Sequence, residues 1–186
     1  MGRKRTIDRN VTMEAIEAVV REHGVAGLSI DAVSRAAGIS KSSVVYDFET
    51  KDGLLAAFIR LRMDKNNAEI NDAAAEYEGQ PNALLRGMLD VCSKRPSEDD
   101  MACAMAITAS VSNGNTCREL MGRMFADHID RVDAEACDPV RARLAWLALH
   151  GVMSLEYLRF HDFPPDERQK ILADIAAFLS SPSAPT

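Results

Sequence analysis

Within the stretch Ser40-Lys41-Ser42-Ser43-Val44-Val45-Tyr46-Asp47-Phe48 the chain gathers an ammonium, three hydroxyls, a branched aliphatic and a phenol. Val44 and Phe48 stand four apart, so a helix here would bury them on one face. That leaves Lys41, Ser42, Ser43, Val45 and Tyr46 pointing outward. Such a set forms no nucleophile and base, but it does offer binding chemistry. It sits near the N-terminus of a helix short enough to enter a DNA major groove.

The surrounding residues read as the frame for that helix. Ser29 caps a short helix ending at Ala37, and Gly38 reverses the chain by accepting positive φ without steric cost. Ile39 fills the angle between the two helices, and Ser40 caps the second. Ile30, Val33 and Ala37 face inward from the first. A plain packed corner in a helical protein would have the same outline, and it stands as the alternative.

The residue types go further than the geometry. Ala37-Gly38-Ile39-Ser40-Lys41-Ser42-Ser43, an aromatic pair, and then Thr50-Lys51-Asp52-Gly53-Leu54-Leu55 resemble the N-terminal domain of TetR/AcrR-family regulators over roughly residues 9–56. By position, the resemblance implies that Ser29 caps its helix against a phosphate. Lys41, Ser42, Ser43, Val45 and Tyr46 would then face bases or backbone, and Lys51 would hold a phosphate. A valine methyl group at position 45 can meet a thymine methyl. Two residues depart from the family pattern: Val45 replaces an aromatic, and Asp47 replaces a His or Tyr. A carboxylate at position 47 would repel phosphate, accept from a cytosine amino group, or simply be solvated.

Strand signals are nearly absent and helix formers dominate. The expected fold is all-α with about nine helices. Residues 1–56 form a three-helix helix-turn-helix DNA-binding domain, and residues 57–186 a helical effector-binding and dimerisation domain. Beyond the head, breaks are expected at Gly79-Gln80-Pro81, Pro96-Ser97, Ser112-Asn113-Gly114-Asn115, Asp138-Pro139 and Phe163-Pro164-Pro165. Asp138 followed by Pro139 reads as a cap with proline in the first turn. The tail from Ser180, rich in Ser and Pro, is expected to be disordered.

The net charge of -6 argues at first against a polyanionic partner. Its distribution weakens that objection: residues 1–60 carry nine Lys or Arg against eight Asp or Glu, and the acidic excess lies beyond them. Arg3, Lys4, Arg5 and Arg9 form a basic arm able to follow a phosphate backbone. No apolar run is long enough to span a membrane, and the basic start leads into no signal region, so a cytoplasmic protein is expected. No glycine-rich phosphate loop, Gly-x-Ser-x-Gly elbow or His-Glu-x-x-His occurs, so no enzyme is expected. Cys92, Cys103, Cys117 and Cys137 lack metal-ligand spacing and read as free buried thiols, with redox sensing the alternative. His128, His150 and His161 are too scattered to indicate a metal, and no cofactor is expected.

In the C-terminal region Val140, Leu144, Leu147, Gly151, Leu155 and Leu158 recur at helical spacing, as do Ile171, Ile175 and Phe178. Core packing within one chain accounts for one such face of each helix. The resemblance implies that the last two helices pair across a twofold axis into a four-helix bundle, giving a homodimer. It also implies a repressor, less often an activator, on a pseudo-palindromic double-stranded operator, released by an effector. A small apolar or amphipathic effector is expected in a pocket of Met88, Cys92, Met105, Met121, Met124, Phe125, Trp146, His150 and Met153, with Met101 and Tyr157 nearby in sequence. Ordinary core is the plainer reading of those methionines. A helical interaction module that never meets DNA is the rival function.

Overall fold

The computed structural model describes residues 9–113 and 115–180. The basic arm up to Asp8 and the tail beyond Ser180 lie outside the described residues. Those described form nine α-helices and no strand: α1 (Arg9–His23), α2 (Ile30–Ala37), α3 (Lys41–Phe48), α4 (Lys51–Ala75), α5 (Ala83–Cys92), α6 (Glu98–Asn113), α7 (Asn115–Glu135), α8 (Pro139–Tyr157) and α9 (Pro165–Ser180). The all-α expectation is met. A 3-10 turn at Val25–Gly27, which the sequence did not signal, follows α1.

The contacts divide the chain into two compact units. One runs to Met63 and includes Ala106–Leu120; the other comprises Asp64–Met105 and the residues from Met121 onward. The division falls at 63/64, partway along the continuous helix α4.

In the first unit α2 packs against both α1 and α3. Ile16, Leu28, Val33, Val44 and Leu54 are completely buried there, and Phe48 nearly so. Local signals fix the helix ends. Ser29 Oγ accepts from Ala32 N–H at 3.1 Å. Gly38 takes the left-handed conformation at φ 64, and the Ile39 N–H donates to the Ser34 carbonyl at 3.1 Å. Ser40 Oγ accepts from Ser43 N–H, and Thr50 Oγ1 from Gly53 N–H, each at 3.1 Å. A side chain at Gly53 would collide with the Phe48 carbonyl, so this glycine lets the start of α4 press against the end of α3.

The second unit is held by a core of α5, α8 and α9 side chains with contributions from α4 and α7, among them Ile70, Leu84, Met88, Val132, Trp146, Leu149 and Ile175. Gly87 allows α5 to lie on α4, because a Cβ there would come within 2.6 Å of the Ala74 nitrogen and 2.8 Å of the Ile70 carbonyl oxygen. Two sets of long-range bonds place helix ends that no local signal predicted. At the start of α5, Asn82 takes φ 62 and donates its N–H to the Glu135 carbonyl, while Glu135 Oε2 accepts from Leu84 N–H at 2.7 Å. Pro81 therefore precedes the cap. At the other end, Arg168 of α9 reaches the exposed carbonyls of Cys92 (2.7 Å) and Ser93 (3.0 Å). Its Nε also donates to Glu156 Oε1 of α8 at 2.7 Å, with the two side chains only 5% and 6% exposed.

Removing one partner of a buried ion pair leaves an uncompensated charge and costs roughly 3–5 kcal/mol. Arg168→Ala, which also strips the α5 carbonyls of their donors, is expected to lose stability in that range in urea denaturation. Loss of under about 1 kcal/mol would show that the pair does not tie the three helices together.

Candidate nucleic-acid interface

Helix α3 presents its outer face as expected. Lys41, Ser42 and Asp47 are exposed, Val45 is 43% exposed and Tyr46 80%, while Val44 and Phe48 are buried beneath them. Ser43 is half-buried, and its hydroxyl lies 2.7 Å from Ser40 Oγ. Ser42 Oγ lies 2.9 Å from the same oxygen, so the first turn carries a linked trio of hydroxyls that can donate outward or accept. Tyr46 stands away from the body as a rigid ring with a polar tip, a shape suited to a groove wall.

The two lysines are tethered, which the sequence did not indicate. Lys41 Nζ lies 2.8 Å from Asp31 Oδ1, with the side chains 65% and 56% exposed. Such a pair is worth about 0–1 kcal/mol, so it orients the ammonium without locking it away from a phosphate. Lys51 Nζ donates to the Ala26 carbonyl in the 3-10 turn at 3.3 Å. Ser29 is half-buried, and its oxygen is engaged as the α2 cap. Asp31 lies in the first turn of α2 and Lys41 in the first turn of α3, and the packing of the two helices brings them together.

In the second unit the structure brings together six of the nine residues expected around an effector. Met88 and Trp146 are buried, with Cys92, Phe125 and Met153 packed against the same core. Cys92 Sγ lies 3.3 Å from Met153 Sδ. The rings of Trp146 and His150 are 4.0 Å apart, and Phe125 meets both edge-on at 6.1 and 5.5 Å. Met105 is 47% exposed, and Met121 and Met124 are half-buried outside this core cluster.

His150 is a hydrogen-bonded, half-buried histidine: its Nδ1 donates to the Trp146 carbonyl at 2.9 Å, and burial lowers its pKa. His128 is buried with Nε2 3.0 Å from Asn67 Oδ1. Burial first, then the fields of His150 and Arg131, keep it below the ordinary imidazole value. Among the described residues no group of three His, Cys, Asp or Glu is placed to hold a metal, and no helix is long and apolar enough to cross a membrane.

Of the residues expected on a dimer face, Val140 (71%), Leu144 and Leu147 (53% each), Leu155 (39%) and Phe178 (43%) are exposed, as is Gly151. Leu158 and Ile171 are half-buried, and Ile175 turns into the core of its own chain.

A capped pair of short helices in an all-helical chain, the second offering a cationic and hydroxylated first turn followed by an exposed aromatic, has the form of a helix-turn-helix. The family model described as bacterial regulatory proteins, tetR family, matches residues 12–58, and that of the tetracyclin repressor-like C-terminal domain matches residues 82–180. The chain belongs to the TetR family and is a DNA-binding transcriptional regulator. It is 28% identical, over 96% of its length and 83% of the relative's, to the HTH-type transcriptional regulatory protein RaaS of Mycobacterium tuberculosis (strain ATCC 25618 / H37Rv). Its fold resembles a transcriptional regulator from Rhodococcus sp. Rha1 (TM-score 0.68, 21% identity, 92% of this chain and 95% of that one). It also resembles the multidrug binding protein EbrR complexed with malachite green (TM-score 0.63, 20% identity, 94% and 99%).

The cysteines differ from the expectation of four buried thiols. Cys117 is buried, Cys92 and Cys103 are half-buried, and Cys137 is exposed. Burial pushes the Cys92 thiol up to about 11, against a smaller opposing pull from Arg168. Thiolate is the reactive form and falls tenfold for each pH unit below the pKa. At pH 8 iodoacetamide is therefore expected to label Cys137 at least about tenfold faster than Cys92 by peptide mass mapping, with Cys92 accelerating as pH rises. Equal rates at pH 8 would contradict the burial of Cys92.

Proposed function

We propose that the protein is a cytoplasmic homodimeric repressor that lays α3 in the major groove of each half of a pseudo-palindromic operator and leaves it when a small apolar or amphipathic effector binds. The observation that carries this reading is the outer face of α3. Lys41, Ser42, Val45 and Tyr46 are exposed, while Val44 and Phe48, on the opposite face, anchor the helix. Ser29 and Lys51 flank it for phosphate contacts, and Ser43 supports the first turn.

Two further features support the dimer and the effector. The exposed aliphatics of α8, with Phe178 of α9, make an apolar surface that a second copy would cover by pairing the same two helices across a twofold axis. Gly151 sits at the middle of this stripe, where small size permits close helix approach. The cluster of Met88, Cys92, Phe125, Trp146, His150 and Met153 combines thioethers that repack readily with aromatic faces, the type of lining that accepts flat apolar molecules. EbrR, with a similar fold, was solved with malachite green bound.

Gel shift with DNA upstream of the protein's own gene tests the DNA reading. Tyr46→Ala is expected to weaken specific binding by about 1–3 kcal/mol. Lys51→Ala should weaken binding to all sequences and reduce the salt slope by about one. A helical module with no DNA role would show no salt-sensitive shift with either the upstream or a random fragment.

Sedimentation tests the assembly. The wild-type chain should run at about twice its 20.4 kDa, and Leu144→Glu, which sets a charge in the apolar stripe, should run as a monomer with unchanged helicity. A monomeric wild-type chain would rule the dimer out.

A further inference from the structure

A cleft of about 400 Å³ opens in the second unit where the α5–α6 connection meets the end of α8, lined in part by Arg95, Pro96, Met101, Glu156, Arg159 and Asp162. Phe125, Trp146 and His150 are not among the residues that line it. Its volume lies in the range of small-molecule sites, about 300–1,000 Å³.

The hydrogen-bond inventory around it is unbalanced in one direction. Each guanidinium beside the cleft is engaged. Arg95 donates to Asp162 Oδ1 at 3.1 Å and to the Phe163 carbonyl, and Arg159 donates to Glu98. Arg168 donates to Glu156 Oε1 and to the carbonyls ending α5. The group left over is an acceptor. Glu156 is 6% exposed, and its Oε2 is buried with no hydrogen-bond partner among the described residues. A carboxylate oxygen removed from water and left unmatched is costly, and the matching group is a donor, best a charged one. Glu156 Oε2 accepts from a donor that enters the cleft, and an ammonium supplies both that donor and the opposite charge.

The backbone supports a built cleft. Arg159 ends α8 at φ 56, a left-handed conformation that non-glycine residues adopt at a cost, with its N–H donating to the Glu156 carbonyl at 3.0 Å. This turn brings Arg159, His161 and Asp162 to the rim above Glu156. Met101 and Pro96 supply the apolar wall.

We infer that this cleft binds a small organic ammonium ion, its N–H donors directed to Glu156 and its hydrocarbon part lying on Met101 and Pro96. The inference stands on the cleft alone and does not require the operator or dimer reading.

The experiment titrates the full chain, carrying isotope-labelled methionine methyls, with hexylammonium, and separately with hexanol and hexanoate as neutral and anionic probes of equal length. The Met101 methyl is expected to shift saturably with hexylammonium, at least about tenfold more tightly than with hexanol, and not with hexanoate. Glu156→Gln keeps an acceptor for Arg168 while removing the charge, and should weaken hexylammonium by about tenfold or more. Absence of a saturable Met101 shift below about 10 mM, an equal response to hexanol, or unchanged affinity in a folded Glu156→Gln variant would overturn the inference. If that variant fails to fold, the three-probe comparison on the unmutated chain still decides.

Discussion

The buried pair between Arg168 and Glu156 is the constraint on which the second unit depends. A guanidinium inside a core is tolerated only when its charge and its donors are matched. Here one arginine of α9 is matched by a carboxylate of α8 and by the carbonyls that α5 leaves unbonded at its C-terminus. Three helices are thereby fixed at one point, in register as well as distance, since a slip of α9 by one residue would turn Arg168 out of the core. With α8 and α9 so fixed, Trp146, Leu149, Val152 and Ile175 face inward and Val140, Leu144, Leu147 and Phe178 face out. The apolar stripe proposed to meet a second copy is thus a consequence of where a charged pair sits.

The DNA-binding head is built on the opposite principle. Among its described residues no buried charge organises it. A succession of local devices does: the Ser29 cap, the left-handed Gly38, the Ser40 cap, and the Thr50 cap with Gly53 beneath it. Each specifies one helix end from within three or four residues, and together they set α3 with Val44 and Phe48 down and Tyr46 up. One residue departs from this economy. Glu49 takes φ 60 to end α3, where glycine would meet no steric resistance.

This contrast explains what could be read from the amino-acid order. The bounds of α2 and α3 were legible because caps and glycines act locally, and the same logic revealed Asp138 capping α8, where its side chain accepts from Arg141 N–H. The start of α5 was not legible, because its cap comes from Glu135, far along the chain. Glu156 and Arg168 were equally silent: a periodic stripe identifies apolar positions, and a charged residue within it reads as solvated until its partner is known. Ile175 shows the same limit in reverse. Periodicity places it on a face, but only the packing of α9 on α5 and α8 tells which side of that face is inward. The thiols followed no pattern that sequence could separate, and Cys137 came out exposed.

The acidity that seemed to oppose DNA binding has a role in this arrangement. Asp31 sits against Lys41 and Asp47 lies exposed on α3 itself, so the proposed reading surface is close to neutral. Non-specific affinity for DNA comes almost wholly from phosphate neutralisation, and a surface with tethered lysines and flanking carboxylates gains little of it. Base-edge and methyl contacts from Ser42, Val45 and Tyr46 would then make up a larger share of the total. Specificity is a ratio between right and wrong sites, in which the sequence-independent part cancels; the near-neutral surface therefore lowers absolute affinity and leaves discrimination to the base-edge and methyl contacts. In the proposed dimer, paired heads would restore the affinity by doubling the specific contacts, so a weakly charged reader is compatible with regulation when two copies act together.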